Sequence, residues 1–265
     1  MRALLQTEGL TRRYAGLIAV DGVDLAVQAG SVHALIGPNG AGKTTLFNLI
    51  SGLETPSAGS VHLSGRDLSA LPAERRTALG LARTFQSIRV FAAMTVLENV
   101  LTGLHPRRTA GLAAIILRTP SFRREERALV ERARAALDMV GLAARSDERA
   151  GALSYGDQRR LEIARAMVAG PALLLLDEPA AGMNPAETEA LAGLVRRIRD
   201  LGTTVLLVEH DMGFVMDISD VVTVLNFGRL IFQGSPAATR AAPEVLEAYL
   251  GHKVAARLAA RARPG

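Results

Sequence analysis

The 265-residue sequence contains no cysteine. Disulfides and thiolate-held metals are thereby excluded, and cysteine usage leaves the compartment open. Nor is there an apolar run near the ~20 residues of a membrane-spanning helix; AGLAAIIL and ALLLL are both too short. The opening MRALLQTEGLTRRY carries Glu8 and arginines where a secretory leader needs a long apolar centre. No internal repeat is present. Blocks of one charge are missing too: the net charge of +5 comes from arginines scattered along the chain, which reads as a solvated basic surface and not as a nucleic-acid stripe. The expectation is a protein on the cytoplasmic side that meets a membrane only through a partner.

What is present is a globular composition, 49% hydrophobic with charges of mixed sign, long enough for one large domain with a real core. VDGVDLAV alternates through Val23, Leu25 and Val27 like a half-buried strand. SVHALIG is a short apolar run before a helix-like TTLFNLISGL, and GSVHLSGRDL reads as strand and turn. From about Leu97 to Ala152 the composition turns to Ala, Leu, Arg and Glu. Within it, RREERALVERARAALDMVGL spaces Leu129, Ala133, Ala136, Leu137 and Val140 helically and stops at Gly141. Alternation then returns. PALLLLDEP is a buried-strand candidate, and ETEALAGLVRRIRDLG sets Leu191, Leu194, Ile198 and Leu201 on one helical face before Gly202. TTVLLVEHD is a strand, VVTVLNFGRLIFQG a hairpin, PEVLEAYLG a short helix, and VAARLAARARPG a frayed basic end. Strands alternating with helices predict an α/β fold with a mainly parallel sheet, interrupted by a helical insertion.

GPNGAGKT, Gly37 to Thr44, satisfies G-x-x-x-x-G-K-[ST] between a strand and a helix. Its glycines, Gly37, Gly40 and Gly42, let the backbone curl so that successive N–H groups point at phosphate oxygens. The helix that follows adds its positive end to the same anion. Lys43 is expected to reach the outer phosphates and Thr44 to ligate magnesium.

LLLLDE puts Asp177 and Glu178 at the carboxyl end of a buried strand, where ligands of open α/β sheets collect. Two adjacent buried carboxylates need a cation or a proton, so Asp177 suits a metal shell and Glu178 an attacking water. His210 ends the next strand and is expected at the same edge, bonding a terminal phosphate. Glu209 reads as a surface residue or a support behind the site. His33, His62, His105 and His252 show no metal-ligand spacing and read as structural or solvent-facing.

Taken together the motifs resemble those of the ATPase subunits of ABC transporters. GPNGAGKTT resembles their Walker A motif, LLLLDE their Walker B, LSYGDQ their signature, ARTFQ with Gln86 their Q-loop, AAGMNP their D-loop, and His210 their switch histidine. The resemblance implies a P-loop NTPase fold: a mainly parallel sheet, an N-terminal antiparallel β region and an inserted helical subdomain. It implies one nucleotide-binding domain over 1–253, with a core from 1–86 and 155–235, a helical subdomain over about 90–165, a C-terminal helix over 236–253 and a basic tail over 254–265. ATP and Mg²⁺ are the implied cofactors. Tyr14 falls where the family stacks an aromatic on adenine, and the nucleotide is held by Gly37, Pro38, Asn39, Gly40, Ala41, Gly42, Lys43, Thr44 and Thr45. Thr44, Gln86 and Asp177 serve the metal, and Glu178, His210, Lys43 and Gln86 the chemistry. In this family two cassettes meet head to tail, so Ser154, Tyr155, Gly156, Asp157 and Gln158 are implied to bind the partner cassette's ATP. An N-cap role for Ser154 is the local alternative.

Two positions depart from the family pattern. Tyr155 stands where glycine is commoner, and Asn184 where the D-loop usually has aspartate. Within the family, ARTFQSIRVFAAMTVLENV, LRTPSFRREE, EHDMGFVMDISD and EAYLG look closest to the ATPases of branched-chain amino acid importers. That resemblance implies permease partners, a second cassette as heterodimer or homodimer, an external binding protein, no nucleic acid, and a peripheral place on the cytoplasmic face of the membrane. ATPases for urea or amide uptake, for lipopolysaccharide export, and soluble non-transport members are the alternatives.

Overall fold

The computed structural model describes residues 3–104 and 120–250. The segment AGLAAIIL, the C-terminal basic stretch, Gly251 of EAYLG, and His105 and His252 lie outside the described residues.

Strands β1 (Ala3–Tyr14) and β2 (Leu17–Gln28) form a hairpin. With β4 (Ala58–Leu63) and β5 (Arg66–Asp67) they make an antiparallel sheet ordered β2-β1-β4-β5. The alternation read in β2 is realised, with Val23, Leu25 and Val27 fully inside. Between these strands run β3 (Val32–Ile36) and α1 (Lys43–Ser51). After α2 (Ala73–Ala78) and β6 (Leu81–Arg83) the chain becomes helical: α3 (Val96–Thr102), α4 (Pro120–Met139) and α5 (Tyr155–Met167). It then alternates through β7 (Leu173–Asp177), α6 (Pro185–Asp200), β8 (Thr204–Val208) and α7 (Met212–Ile218). The hairpin β9 (Val221–Asn226)–β10 (Arg229–Gly234) and two short helices, α8 (Pro236–Ala241) and α9 (Pro243–Leu250), follow.

The second sheet is ordered β10-β9-β3-β8-β7-β6, parallel except for β10. A parallel sheet is covered on both faces, so its strands read as unbroken apolar runs. That is why Leu173 to Leu176 are four leucines in succession. Leu174 and Leu176 enter one core with Val205, Leu207 and the helices, while Leu173 and Leu175 enter the other with Leu206 and Phe47 of α1. In α4 the residues Leu129, Ala133, Ala136 and Leu137 are buried as their spacing predicts, and Gly141 takes φ 73 beyond the helix end.

One expected core position fails. Leu201 is 65% exposed, because α6 ends at Asp200 and Leu201 is its C-cap, its N–H turned back to the Arg197 carbonyl. The helical period that carries Leu191, Leu194 and Ile198 inward stops one residue too soon. At the end of α1, whose last turn has no basic residue, Arg76 of α2 caps the carbonyls of Leu49 and Ile50 at 2.6 and 2.8 Å.

His33 of β3 is fully buried, with Nε2 2.7 Å from the Thr223 hydroxyl and Nδ1 unpartnered. Burial lowers its pKa from 6.5 to about 4. The folded chain therefore keeps His33 neutral while the unfolded chain protonates it. Its contribution to stability is full above about pH 6.5 and is lost as pH falls towards 4, on the order of 3 kcal/mol. Burial raises the pKa of Glu162 and Glu209, which act in the opposite sense. Thermal unfolding of the wild type and His33→Gln between pH 7.5 and 4.5 isolates the histidine. The variant is expected to lose less stability on acidification, and parallel pH profiles would contradict this.

Candidate nucleotide site

The order β3-β8-β7-β6 makes neighbours of four strands whose carboxyl ends deliver every core motif to one edge. β3 leads into the glycine loop, β6 into Gln86, β7 into Asp177 and Glu178, and β8 into His210. This is the edge at which open α/β sheets bind ligands.

The glycine loop is shaped by contacts that no other residue type permits. A Cβ on Gly42 (φ 99) would lie 2.3 Å from the Ala19 carbonyl oxygen, and one on Gly37 2.2 Å from that of Leu225. Gly42 is the N-cap of α1 and supplies no side-chain cap, so the helix N-terminus keeps its free N–H donors for an anion. Lys43 is nearly buried and donates to the carbonyls of Gly37 (2.7 Å) and Pro38 (3.0 Å), closing the loop on itself. Burial lowers the Lys43 pKa, and the charge of Glu178 opposes that shift. A cavity of about 750 Å³ opens over the loop. Asn39, Gly40, Ala41, Gly42, Lys43, Thr44 and Thr45 line it together with Tyr14, Leu17, Ile18, Glu178 and His210.

Glu178 has φ 46, a left-handed conformation that a non-glycine residue holds only when its surroundings enforce it. Here its N–H bonds the Val208 carbonyl at 2.9 Å. Its carboxylate is then held from two sides: Gln86 Nε2 donates to Oε2 at 2.8 Å, and His210 Nε2 lies 2.6 Å from Oε1. Thus the structure joins three of the expected residues directly. Glu209 is a support behind the site and not a surface residue. It is buried and accepts the N–H of Ala180 (2.7 Å) and of His210 (3.0 Å), which fixes the turns after β7 and β8.

Asp177 is held differently. Its Oδ2 pairs with Arg83 at 2.8 Å, both side chains nearly buried. Arg83 also donates to Asn48 Oδ1 (2.8 Å) and Ser51 Oγ (2.7 Å) of α1. Tyr14 borders the cavity with its hydroxyl donating to Glu54 and Arg12 over its ring at 4.6 Å.

None of residues 154–158 lines this cavity. Ser154 is the N-cap of α5, its hydroxyl accepting the Asp157 N–H at 3.2 Å, so the local capping role is real. Tyr155 and Ser154 are exposed. A Cβ on Gly156 would meet Glu187 Oε1 at 2.7 Å, so a side chain there would push the Glu187 carboxylate aside. Asp157 and Gln158 turn inward instead: the Asp157 carboxylate pairs with Arg145 (2.6 Å) and Arg160, and the Gln158 amide donates to the Leu153 carbonyl. Asn184 is the N-cap of α6, in a capping box with Glu187 that aspartate would also serve.

Two arginines without a local sequence mark hold the site together. Arg83 ties Asp177 to α1. Arg159 of α5, fully buried, donates to the carbonyls of Phe85 and Gln86 at 2.7 Å each and to Glu162 at 2.8 Å. It couples the helix behind the Ser154–Gly156 turn to the segment carrying Gln86. Beside that segment lies a groove of about 570 Å³, lined by Arg83, Phe85, Arg89, Phe91, Glu162 and Arg165 among others.

Comparison with known proteins agrees with this geometry. The family model described as ABC transporter matches residues 20–181. The chain is 46% identical over 251 residues to the high-affinity branched-chain amino acid transport ATP-binding protein BraF of Pseudomonas aeruginosa, covering 94% of this chain and 98% of that one. It is 46% identical over 249 residues to LivG of Escherichia coli, a protein of the same description, with the same coverage. The ADP conformation of MJ1267, an ATP-binding cassette of an ABC transporter, superimposes with a TM-score of 0.83 at 30% identity, covering 95% of this chain and 100% of that one. With the family model matching residues 20–181 and 46% identity to BraF over nearly the whole of both chains, the chain belongs to the ABC transporter family as one of its ATPase cassettes.

Proposed function

We propose that this cassette hydrolyses ATP at the cavity above the Gly37–Thr44 loop, as half of a cassette dimer that drives uptake of branched-chain, hydrophobic amino acids. The observation that carries the chemistry is Glu178, held in left-handed backbone at the cavity wall with its carboxylate between Gln86 and His210.

The loop N–H groups and the N-terminus of α1 receive the phosphates, and Lys43 exchanges its carbonyl contacts for phosphate oxygens. Glu178 polarises a water and takes its proton as the water oxygen attacks the γ-phosphorus; the bond to the β-phosphate oxygen breaks, and ADP leaves with the electron pair. His210, its Nε2 2.6 Å from Glu178 Oε1, fixes the carboxylate in line. Gln86 does the same from Oε2, which leaves its amide oxygen as an acceptor. The Thr44 hydroxyl, the Asp177 carboxylate and the Gln86 amide oxygen would make an all-oxygen donor set suited to a hard cation. Mg²⁺ bound there would supply charge neutralisation for the phosphates.

Since residues 154–158 stay away from this chain's own cavity, Ser154, Tyr155 and Gly156 serve the nucleotide of a second cassette. The groove beside Gln86 takes a permease segment. Its Arg159-held backbone passes strain between that segment and Glu178. Among the described residues no helix is long and apolar enough to cross a membrane, so attachment to the cytoplasmic face goes through the permeases. The amino-acid class rests on the identity to BraF and LivG over nearly the whole chain.

Reconstitution of the cassette with its membrane partners in proteoliposomes tests this. Leucine, isoleucine or valine with the cognate binding protein is expected to raise ATP turnover several-fold. Stimulation by urea or short amides alone would contradict the assigned cargo and leave the ATPase assignment standing.

A further inference from the structure

The chain holds seven Phe, three Tyr and no Trp, so each exposed ring stands out. Phe227 is the most exposed large apolar side chain among the described residues, at 85%. It occupies the two-residue turn between β9 and β10, where Asn226 pairs with Arg229. Phe227 (φ 45) and Gly228 (φ 77) both have positive φ. Hairpin turns of this kind favour Asn, Asp or Gly at the first position, where a bulky residue is disfavoured. An aromatic ring here gains nothing from packing and strains its own backbone.

The turn is not free to relax. The Gly228 N–H bonds the Ala41 carbonyl of the glycine loop, and the Gly228 carbonyl accepts the Asp21 N–H, both at 2.9 Å. A Cβ on Gly228 would lie 2.8 Å from the Ala19 oxygen and 3.3 Å from Val20 Cα. The turn is therefore pinned between the phosphate loop and β2, the strand that also carries Leu17 and Ile18 of the cavity lining. Phe227 lines that same cavity.

We infer that Phe227 is a second aromatic contact for the base–ribose end of the bound nucleotide, acting with Tyr14. The inference rests on the nucleotide reading of this cavity. An aromatic face next to a phosphate cradle fits a purine nucleotide, and stacking of a base on such a ring recovers the exposed apolar area. The hydrogen bonds of Gly228 to Ala41 and Asp21 hold the ring at a fixed reach from the phosphates.

Titration of the isolated full chain with Mg-ADP and with Mg-pyrophosphate separates base from phosphate binding. Phe227→Gly removes the ring and relieves the left-handed strain, so it is expected to unfold at or above the wild-type temperature. Its ADP affinity is expected to fall about tenfold, with pyrophosphate affinity within twofold of wild type. Phe227→Trp is expected to keep ADP affinity, and its indole, the sole one in the chain, to be quenched by ADP and not by pyrophosphate. Unchanged ADP binding in Phe227→Gly, or equal weakening of both ligands, would overturn the inference. Failure of the wild type to bind either ligand would overturn the nucleotide reading itself.

Discussion

Glu178→Gln is expected to lower the rate of ATP hydrolysis by about two to four orders of magnitude, the range associated with removal of a positioned general base. The amide preserves shape and can still meet Gln86 and His210, so the fold and the loop that receives the phosphates stay intact. ATP affinity is therefore expected to change by less than about threefold, and the loss to appear in kcat. The left-handed backbone at this residue sharpens the expectation. A strained conformation is held there by a bond to the Val208 carbonyl and by two side-chain partners on the carboxylate, the kind of outlier that clusters at functional sites. A steady-state assay paired with equilibrium binding of a fluorescent ATP analogue reads both quantities. Near-normal turnover in the variant would remove Glu178 from the chemistry.

The second large effect is at Arg83. Its guanidinium meets the Asp177 carboxylate, Asn48 and Ser51, lies 5.7 Å from the Phe47 ring and 5.5 Å from the Phe85 ring, and is nearly excluded from water. Arg83→Ala leaves the Asp177 charge buried and unpaired, a change that costs about 3–5 kcal/mol. In a chain of this size it lowers Tm by on the order of 10 °C. The penalty comes from the stranded carboxylate more than from the lost contact. The double variant Arg83→Met with Asp177→Asn is thus expected to recover a substantial part of the stability, although not the activity. Urea unfolding of the wild type and the two variants checks this. A single variant within 1 kcal/mol of wild type, or a double variant less stable than the single one, would show that the pair does not hold α1 to β7 as described.

These two residues differ in how well the sequence discloses them. Glu178 follows four leucines, and both the buried strand and its acidic end are local patterns. The same holds for Gly37 to Thr44, where spacing alone specifies the loop, and for α4, whose apolar period survives folding unchanged. Arg83 lies three residues before Gln86 but carries no local mark: its partners are 32, 35 and 94 residues away. A buried arginine looks like an exposed one until the sheet order brings β6 beside β7. Arg159 was hidden for the same reason, inside a stretch whose motif draws attention to Ser154 and Gly156. Phe227 carries no mark of its own because NFG reads as a hairpin turn, and only the bonds of Gly228 to Ala41 and Asp21 reveal that the turn borders the nucleotide cavity. Leu201 erred in the opposite direction. Its helical period was correct, but the helix ended before it mattered. Glu209 illustrates the ambiguity of a charged residue at a strand end, where solvent and two buried N–H groups are equally good partners.

A cassette whose Ser154, Tyr155 and Gly156 do not line its own nucleotide cavity needs a second cassette to complete the proposed site. Light scattering on the isolated Glu178→Gln chain measures this directly. With ATP and Mg²⁺ its mass is expected to double from the 28.0 kDa of one chain, and to return to that value with ADP or when Ser154 is also replaced by Arg. A mass of one chain under saturating ATP, or a dimer indifferent to both nucleotide and Ser154, would contradict it.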